Sequence, residues 1–234
     1  MKVIIHLGHH KTGSSYLQTC FAAKAKQLAE QGVVYPVSQK KMRQAQNGLF
    51  LGHPIRTWDE LLKKIEWYKN KPDCNNQTIL FSHEDFYELV TYDKHKLKEL
   101  HEHGVDVELI VFSRCPMEYL QSRYAQVVKL RGYSKPIEDL LQSNNYKIDL
   151  LQNMANLIDQ ADSLDMPIHI YNYSKRKKDL LNLFENHLEV PRGTLKPAQD
   201  NMVINRSLTP DEVLLVRVFN KFLGKKAIKL VARP

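Results

Sequence analysis

Two hydrophobic rhythms alternate along this chain. Lys2 to Leu7 is a short, nearly continuous apolar run, as expected of a strand covered on both faces. It leads into Gly8-His9-His10-Lys11-Thr12-Gly13, after which apolar residues recur at helical spacing at Leu17, Phe21, Ala25 and Leu28, up to Gly32. Val33-Val34-Tyr35, stopped by Pro36, predicts a second strand, while residues 36 to 56 carry no period and read as loop. Trp58 to Tyr68 predicts a helix and Thr78 to Ser82 a strand. A further helix runs from about Lys94 to His103 and ends at Gly104. Val105 to Phe112 is again almost wholly apolar in its second half, the mark of a central parallel strand.

Pro116 stands where a first helical residue belongs, and the helix it opens reaches about Leu130 with an expected core stripe of Met117, Leu120, Tyr124 and Val127. Helical pattern continues over 136 to 163. Pro167 to Tyr171 follows as a strand, Lys175 to Leu188 as a helix, and Thr209-Pro210-Asp211-Glu212 as a capping box for a last helix to about Leu223. Strands alternating with helices in this order predict the α/β class. The expected fold is one domain over residues 1 to 234, with a central parallel sheet of about five strands flanked by helices.

Composition narrows the class further. With 43% apolar and 26% charged residues in 234, the chain fits a soluble globule, and disorder, collagen and coiled coil are excluded for the whole. No apolar run approaches the roughly 20 residues of a membrane-spanning helix, and Val3 to Leu7 is too short for a signal-peptide core, so a cytoplasmic protein without a membrane span is expected. Cys20, Cys74 and Cys115 are far apart and odd in number, which suggests buried apolar thiols rather than disulfides or a zinc ribbon. The net charge of +8 favours an anionic ligand of unspecified kind.

The loop after the first strand carries the chemistry. Gly8 to Ser15 joins a buried strand to a helix N-terminus at the sheet edge where α/β proteins bind ligands. There the free N–H groups and the helix dipole favour an anion, glycines let the backbone wrap it, and Thr12, Ser14 and Ser15 add hydroxyls. Phosphate is the natural guest. A Walker A loop needs Lys directly after its last Gly, whereas Lys11 precedes Gly13.

The order Lys11-Thr12-Gly13-Ser14-Ser15 after a strand resembles the 5′-phosphosulfate loop of sulfotransferases that use 3′-phosphoadenosine 5′-phosphosulfate (PAPS), with two serines in place of two threonines. This resemblance implies a P-loop NTPase-like sulfotransferase fold and a 3′-phosphate site of an Arg at a later strand end and a Ser about two helical turns on. Val111-Phe112-Ser113-Arg114-Cys115-Pro116, with Ser122, supplies it. Arg114 offers a bidentate fork and Ser122 a donor. On the same helix Tyr119, Ser122, Gln126 and Lys129 share a polar face. Gly32-Val33-Val34-Tyr35-Pro36, Ser82-His83-Glu84, Ser122 to Lys129 and Asn205-x-Ser207-Leu208 look like the bacterial carbohydrate-type branch of the family. The C-terminal Arg-Lys-Gly loop of small-molecule sulfotransferases is missing, and Gly224-Lys225-Lys226 is no equivalent.

By resemblance, the donor is PAPS, the acceptor a hydroxyl or amine, expected on a sugar or polysaccharide, and His10, Lys11, Thr12, Gly13, Ser14, Ser15, Arg114 and Ser122 hold the nucleotide. Sulfuryl transfer, like phosphoryl transfer, rests on positioning and charge stabilisation. Lys11 is the candidate for charge on the leaving phosphate oxygen. Glu84 is the first candidate base and His83 the second, with Asp85 a third that equally suits a helix start. No metal is expected: His6, His9 and His10, or His101 and His103, show no recognised zinc spacing. Lys40, Lys41, Arg43, His53, Arg56, Lys129 and Arg131 are candidates for an acidic acceptor. Two other readings stand beside this one. A P-loop nucleotide kinase or hydrolase would use ATP and magnesium, with Asp85 on the metal, but has its Lys misplaced. A non-enzymatic anion-binding module has only net charge behind it and no nucleic-acid reader motif.

Overall fold

The computed structural model describes residues 1–8, 11–37, 49–50, 53–54, 57–74, 77–83, 85–93, 95–142, 150–197 and 208–227. Contacts divide the chain into two compact units, Met1–Ser113 with Leu151–Met202, and Arg114–Leu150 with Val203–Pro234. In chain order the elements begin with β1 (Lys2–Leu7), α1 (Ser14–Ala23), α2 (Ala25–Ala29), β2 (Val33–Val34), β3 (Leu49–Phe50), β4 (His53–Pro54) and α3 (Trp58–Lys69). Next come β5 (Thr78–His83), α4 (Asp85–Tyr92), α5 (Lys96–Glu102), β6 (Asp106–Ser113), α6 (Pro116–Arg131) and α7 (Ile137–Gln142). The described elements close with α8 (Leu150–Ser163), β7 (Ile168–Asn172), α9 (Tyr173–Arg176), α10 (Leu180–His187) and α11 (Pro210–Leu223).

The first unit is an α/β layer structure. Its five-stranded sheet has the order β2-β5-β1-β6-β7, and every neighbouring pair is parallel. β1 is central, so the apolar run read from the sequence is needed on both faces. Val3, Ile5 and Leu7 face one core with Trp58, Ile65, Phe86, Leu100 and Leu157. Ile4 faces the other with Leu17, Phe21, Leu28, Phe112 and Phe184. Each such side chain, fully removed from water, contributes about 1.5–3 kcal/mol. β3 and β4 form a separate antiparallel pair inside the segment expected to be plain loop.

Three helices differ from the sequence reading for local reasons. The single helix expected up to Gly32 breaks at Lys24, whose N–H is shared between the Cys20 and Phe21 carbonyls in a tightened turn. The helix expected from Lys175 starts earlier because the Asn172 side chain accepts the Lys175 N–H and opens α9 directly after β7, and a turn then separates it from α10. α4 has no counterpart in the sequence reading, although Phe86, Tyr87 and Val90 give it a buried face.

In the second unit, Pro116 opens α6 and Leu120, Tyr124, Val127 and Val128 are its buried positions. Met117, expected in the stripe, is 63% exposed because the buried arc is shifted toward Val128. The capping box forms as read: Thr209 accepts from the Glu212 N–H and the Glu212 carboxylate accepts from the Thr209 N–H. α11 carries a buried Asn220 whose amide donates to the carbonyls of Val128 and Tyr133, satisfying the end of α6. Gly132 ends that helix at φ 71, and a Cβ there would stand 2.7 Å from the Lys225 nitrogen, so only glycine fits. No helix among the described residues is long and apolar enough to cross a membrane.

The thiols divide by environment. Cys20 is buried on α1, and burial pushes its thiol up to about 11, whereas Cys115 is exposed at the start of α6, against the expectation of burial. Only the thiolate attacks, and at pH 8 Cys20 holds about one part in a thousand of it. Iodoacetamide at pH 8 therefore labels Cys115 and spares Cys20, and Cys20 labelling rises as pH approaches 11. Peptide mass mapping checks this, and equal labelling of both at pH 8 would contradict it.

Candidate functional site

At the C-terminal edge of the first unit's sheet, β1 passes into the loop that was the strongest motif. The register pairs Leu7 with His83, and the Gly8 N–H continues the ladder onto the His83 carbonyl at 3.0 Å, so the loop leaves β1 beside the end of β5. Lys11 lies in the left-handed region at φ 68 and Gly13 at φ 80. For Lys11 that conformation costs about 1–2 kcal/mol, a strain held where the chain must curl. Gly13 is the N-cap of α1, and the Tyr16 and Leu17 N–H groups return to its carbonyl. The N–H groups just before them have no acceptor within the helix and form the electropositive end of α1.

Hydroxyls gather at that end. Thr12 is fully buried and Ser14 is 1% exposed. The Ser14 hydroxyl has no hydrogen-bond partner among the described residues, a cost of about 1–3 kcal/mol that an anion at the helix terminus would remove. Lys11 and Ser15 are half-buried, and the Ser15 carbonyl is taken by the Thr19 hydroxyl at 2.8 Å. Beneath the loop, the Gln18 amide donates to the backbone carbonyl and the hydroxyl of Ser82, both at 3.2 Å, and Ser82 also meets Nδ1 of His6 at 2.8 Å. This buried network pegs α1 to the end of β5, and the packing of His6 against Phe112 and Phe184 closes it from below.

The other expected site residues fall into three groups. His83 is buried at the end of β5, with its ring against Phe86 at a centroid distance of 5.0 Å. His10 and Glu84 lie outside the described residues, as do the side chain of Asp85 and the loop residues Lys40, Lys41, Arg43 and Arg56. Arg114 and Ser122 belong to the second unit. Arg114 Nε is 3.3 Å from Oε2 of Glu118, one helical turn on, and Ser122 is half-buried on α6. Of the polar face, Gln126 accepts from Arg123 and Lys129 is half-buried. The strand preceding Arg114 is a neighbour of β1, and both end at one edge.

A sulfotransferase from Alicyclobacillus acidocaldarius aligns over 98% of this chain and 96% of its own, with a TM-score of 0.52 and 13% identity. The fold is of the sulfotransferase type. The sulfotransferase domain of the curacin biosynthetic pathway aligns over 99% of this chain and 91% of its own, with a TM-score of 0.45 and 12% identity. No protein-family profile and no curated protein matches the chain.

Within this sulfotransferase-type fold, one contact of the loop has no signal in the linear sequence. A Cβ on Gly13 would stand 3.1 Å from Tyr173 Cε2 and 3.2 Å from Leu180 Cδ1. Tyr173, just past β7, and Leu180, at the head of α10, thus pack directly on the loop. The strand ending at Tyr171 marked this edge, but nothing in the spacing placed its next turn against Gly13. Gly13→Ala meets both the left-handed φ and these side chains. The expected loss is about 1–2 kcal/mol of stability, read as a lowered thermal midpoint. A midpoint unchanged from the parent would show that the loop is not packed as described.

Proposed function

We propose that the whole chain, residues 1 to 234, is one sulfotransferase domain that moves the sulfuryl group of PAPS to a hydroxyl or amine, with a carbohydrate as the acceptor class. The observation that carries this reading is the buried Ser14 hydroxyl at the N-terminus of α1, without a hydrogen-bond partner among the described residues, inside a Lys11-Thr12-Gly13-Ser14-Ser15 loop that follows the central strand of a sulfotransferase-type fold. A phosphosulfate seated there satisfies that hydroxyl and the first N–H groups of the helix together. Arg114 and Ser122 hold the 3′-phosphate, with Arg114 exchanging part of its Glu118 contact for the phosphate.

In the transfer, the acceptor oxygen or nitrogen forms a bond to sulfur as the bond from sulfur to the 5′-phosphate oxygen breaks. The acceptor's proton passes to a base, and adenosine 3′,5′-bisphosphate leaves with the bonding electron pair. Lys11 stabilises the charge that develops on the leaving oxygen, a role that strengthens in a cleft from which water is excluded. Glu84 is the proposed base. His83 stands second because its ring is buried against Phe86. The residues supply positive charge through Lys11 and Arg114, so the reaction calls for no magnesium.

Calorimetry with adenosine 3′,5′-bisphosphate tests the reading. Saturable binding at one site without magnesium is expected, with ATP weaker whether or not magnesium is present. Magnesium-dependent ATP binding would replace the proposal with a P-loop kinase or hydrolase, and salt-sensitive polynucleotide binding alone with an anion-binding module. Arg114→Ala weakens the bisphosphate by roughly tenfold or more, the scale of one charge-assisted hydrogen bond, and Glu118→Gln tightens it by removing a competing carboxylate charge. In a radiolabelled-sulfate transfer screen against glycans, lipids and phenols, Lys11→Ala and Glu84→Gln each abolish turnover. Full activity in Glu84→Gln would place the base at His83 or elsewhere.

A further inference from the structure

Away from the loop, three side chains distant in sequence converge. Glu108 on β6, His169 on β7 and His187 at the end of α10 bring one oxygen and two ring nitrogens within 4.8 Å of one another. Glu108 is buried, and its partner across the ladder is Ile4, in the N-terminal half of the sheet. Five residues separate it from the end of β6, roughly 16 Å at strand rise, so the cluster is remote from the loop edge.

The geometry around Glu108 distinguishes its two oxygens. Oε2 is held by the Lys2 ammonium at 2.7 Å. Oε1 is approached by Nδ1 of His187 and, at 3.5 Å, by Nε2 of His169, yet it is buried without a well-formed hydrogen bond. The other nitrogen of His187, Nε2, meets the Tyr171 hydroxyl at 2.6 Å. When that nitrogen donates to Tyr171, Nδ1 presents its lone pair toward Glu108, the arrangement in which an outer partner fixes the tautomer of a metal-bound histidine. The two imidazoles sit with ring centroids 4.5 Å apart.

We propose that Glu108 Oε1, His169 Nε2 and His187 Nδ1 form a binding site for a divalent cation of the zinc type, with one coordination position left for water. Ligand atoms about 2 Å from such an ion stand roughly 3–3.5 Å apart, the spacing of His169 from Glu108, so the direct contact between Glu108 and His187 opens as the ion enters. Lys2 and Tyr171 are positioning residues. The inference is independent of sulfuryl transfer. Its consequence runs along α10: His187 at one end is held by the ion, and Leu180 at the other packs on the loop at Gly13.

The test uses the full chain, stripped with a chelator and titrated with Zn2+ alone by calorimetry, and with Co2+ followed by its visible absorption. One equivalent bound per chain, a Co2+ spectrum of a four-coordinate nitrogen and oxygen site, and a raised thermal midpoint are expected. His169→Ala, a change at a half-exposed edge position, lowers the affinity at least tenfold and removes the Co2+ spectrum while near-ultraviolet circular dichroism stays as in the parent. Tyr171→Phe lowers the affinity about tenfold. The proposal is overturned if Zn2+ shows no saturable binding, or if His169→Ala binds it as the parent does. It is equally overturned if imidazole NMR with Zn2+ present shows His187 still protonated at both nitrogens, in a plain ion pair with Glu108.

Discussion

The candidate site depends on how β1 and α1 are tied to the end of β5. The Gly8 N–H extends the ladder onto the His83 carbonyl, and one turn into the helix Gln18 reaches down to both polar groups of Ser82. These bonds are buried, where an unmade hydrogen bond costs more than a made one gains. They therefore act mainly as a constraint: they fix the position of α1 in which the Gln18 amide N–H groups reach Ser82. That position sets the direction of the helix terminus and of the strained Lys11 backbone before it. The turn from Lys11 to Ser15 is held from beneath by these bonds, and with it the Thr12 and Ser14 hydroxyls.

Aromatic packing supports the peg from the far side. His6 is sandwiched edge-on by Phe112 and Phe184, and Phe184 also meets Phe21 of α1 at 4.9 Å. A polar ring in an apolar core is tolerable when its nitrogen is bonded, and Ser82 provides the bond. Helix α10, which brings Phe184, thus touches the candidate site at Leu180, the core at its middle and the Glu108 cluster at its end.

Much of the fold was legible in the linear pattern because parallel strands buried on both faces leave unbroken apolar runs, as Val3 to Leu7 and Leu109 to Phe112 do. The capping box at Thr209 and the proline opening α6 were legible because caps are local chemistry. Positions decided by the neighbour were not. Met117 fits a helical stripe by spacing, yet the arc that α6 buries is turned toward Val128. Lys24 and the turn before Leu180 interrupt helices without a glycine or proline to announce it. In the site, Lys11 to Ser15 stood out because a glycine and three hydroxyl residues between a strand and a helix are neighbours in sequence. Tyr173, Gln18 and the Glu108, His169 and His187 group did not, because each acquires its meaning only when β1, β5, β6 and β7 are laid side by side.

Each neighbour of β1 comes from far along the chain: β5 and β6 pair with it in parallel, and parallel pairing cannot be closed by a tight turn. The Gly8 to His83 bond cannot form until more than eighty residues have been made, and the wall at Tyr173 arrives later still. A ribosome-bound chain that has emerged only as far as α3 therefore possesses every residue from Gly8 to Ser15 but neither Ser82 beneath the turn nor Tyr173 beside it, so this turn is among the last parts of the protein to take its final shape.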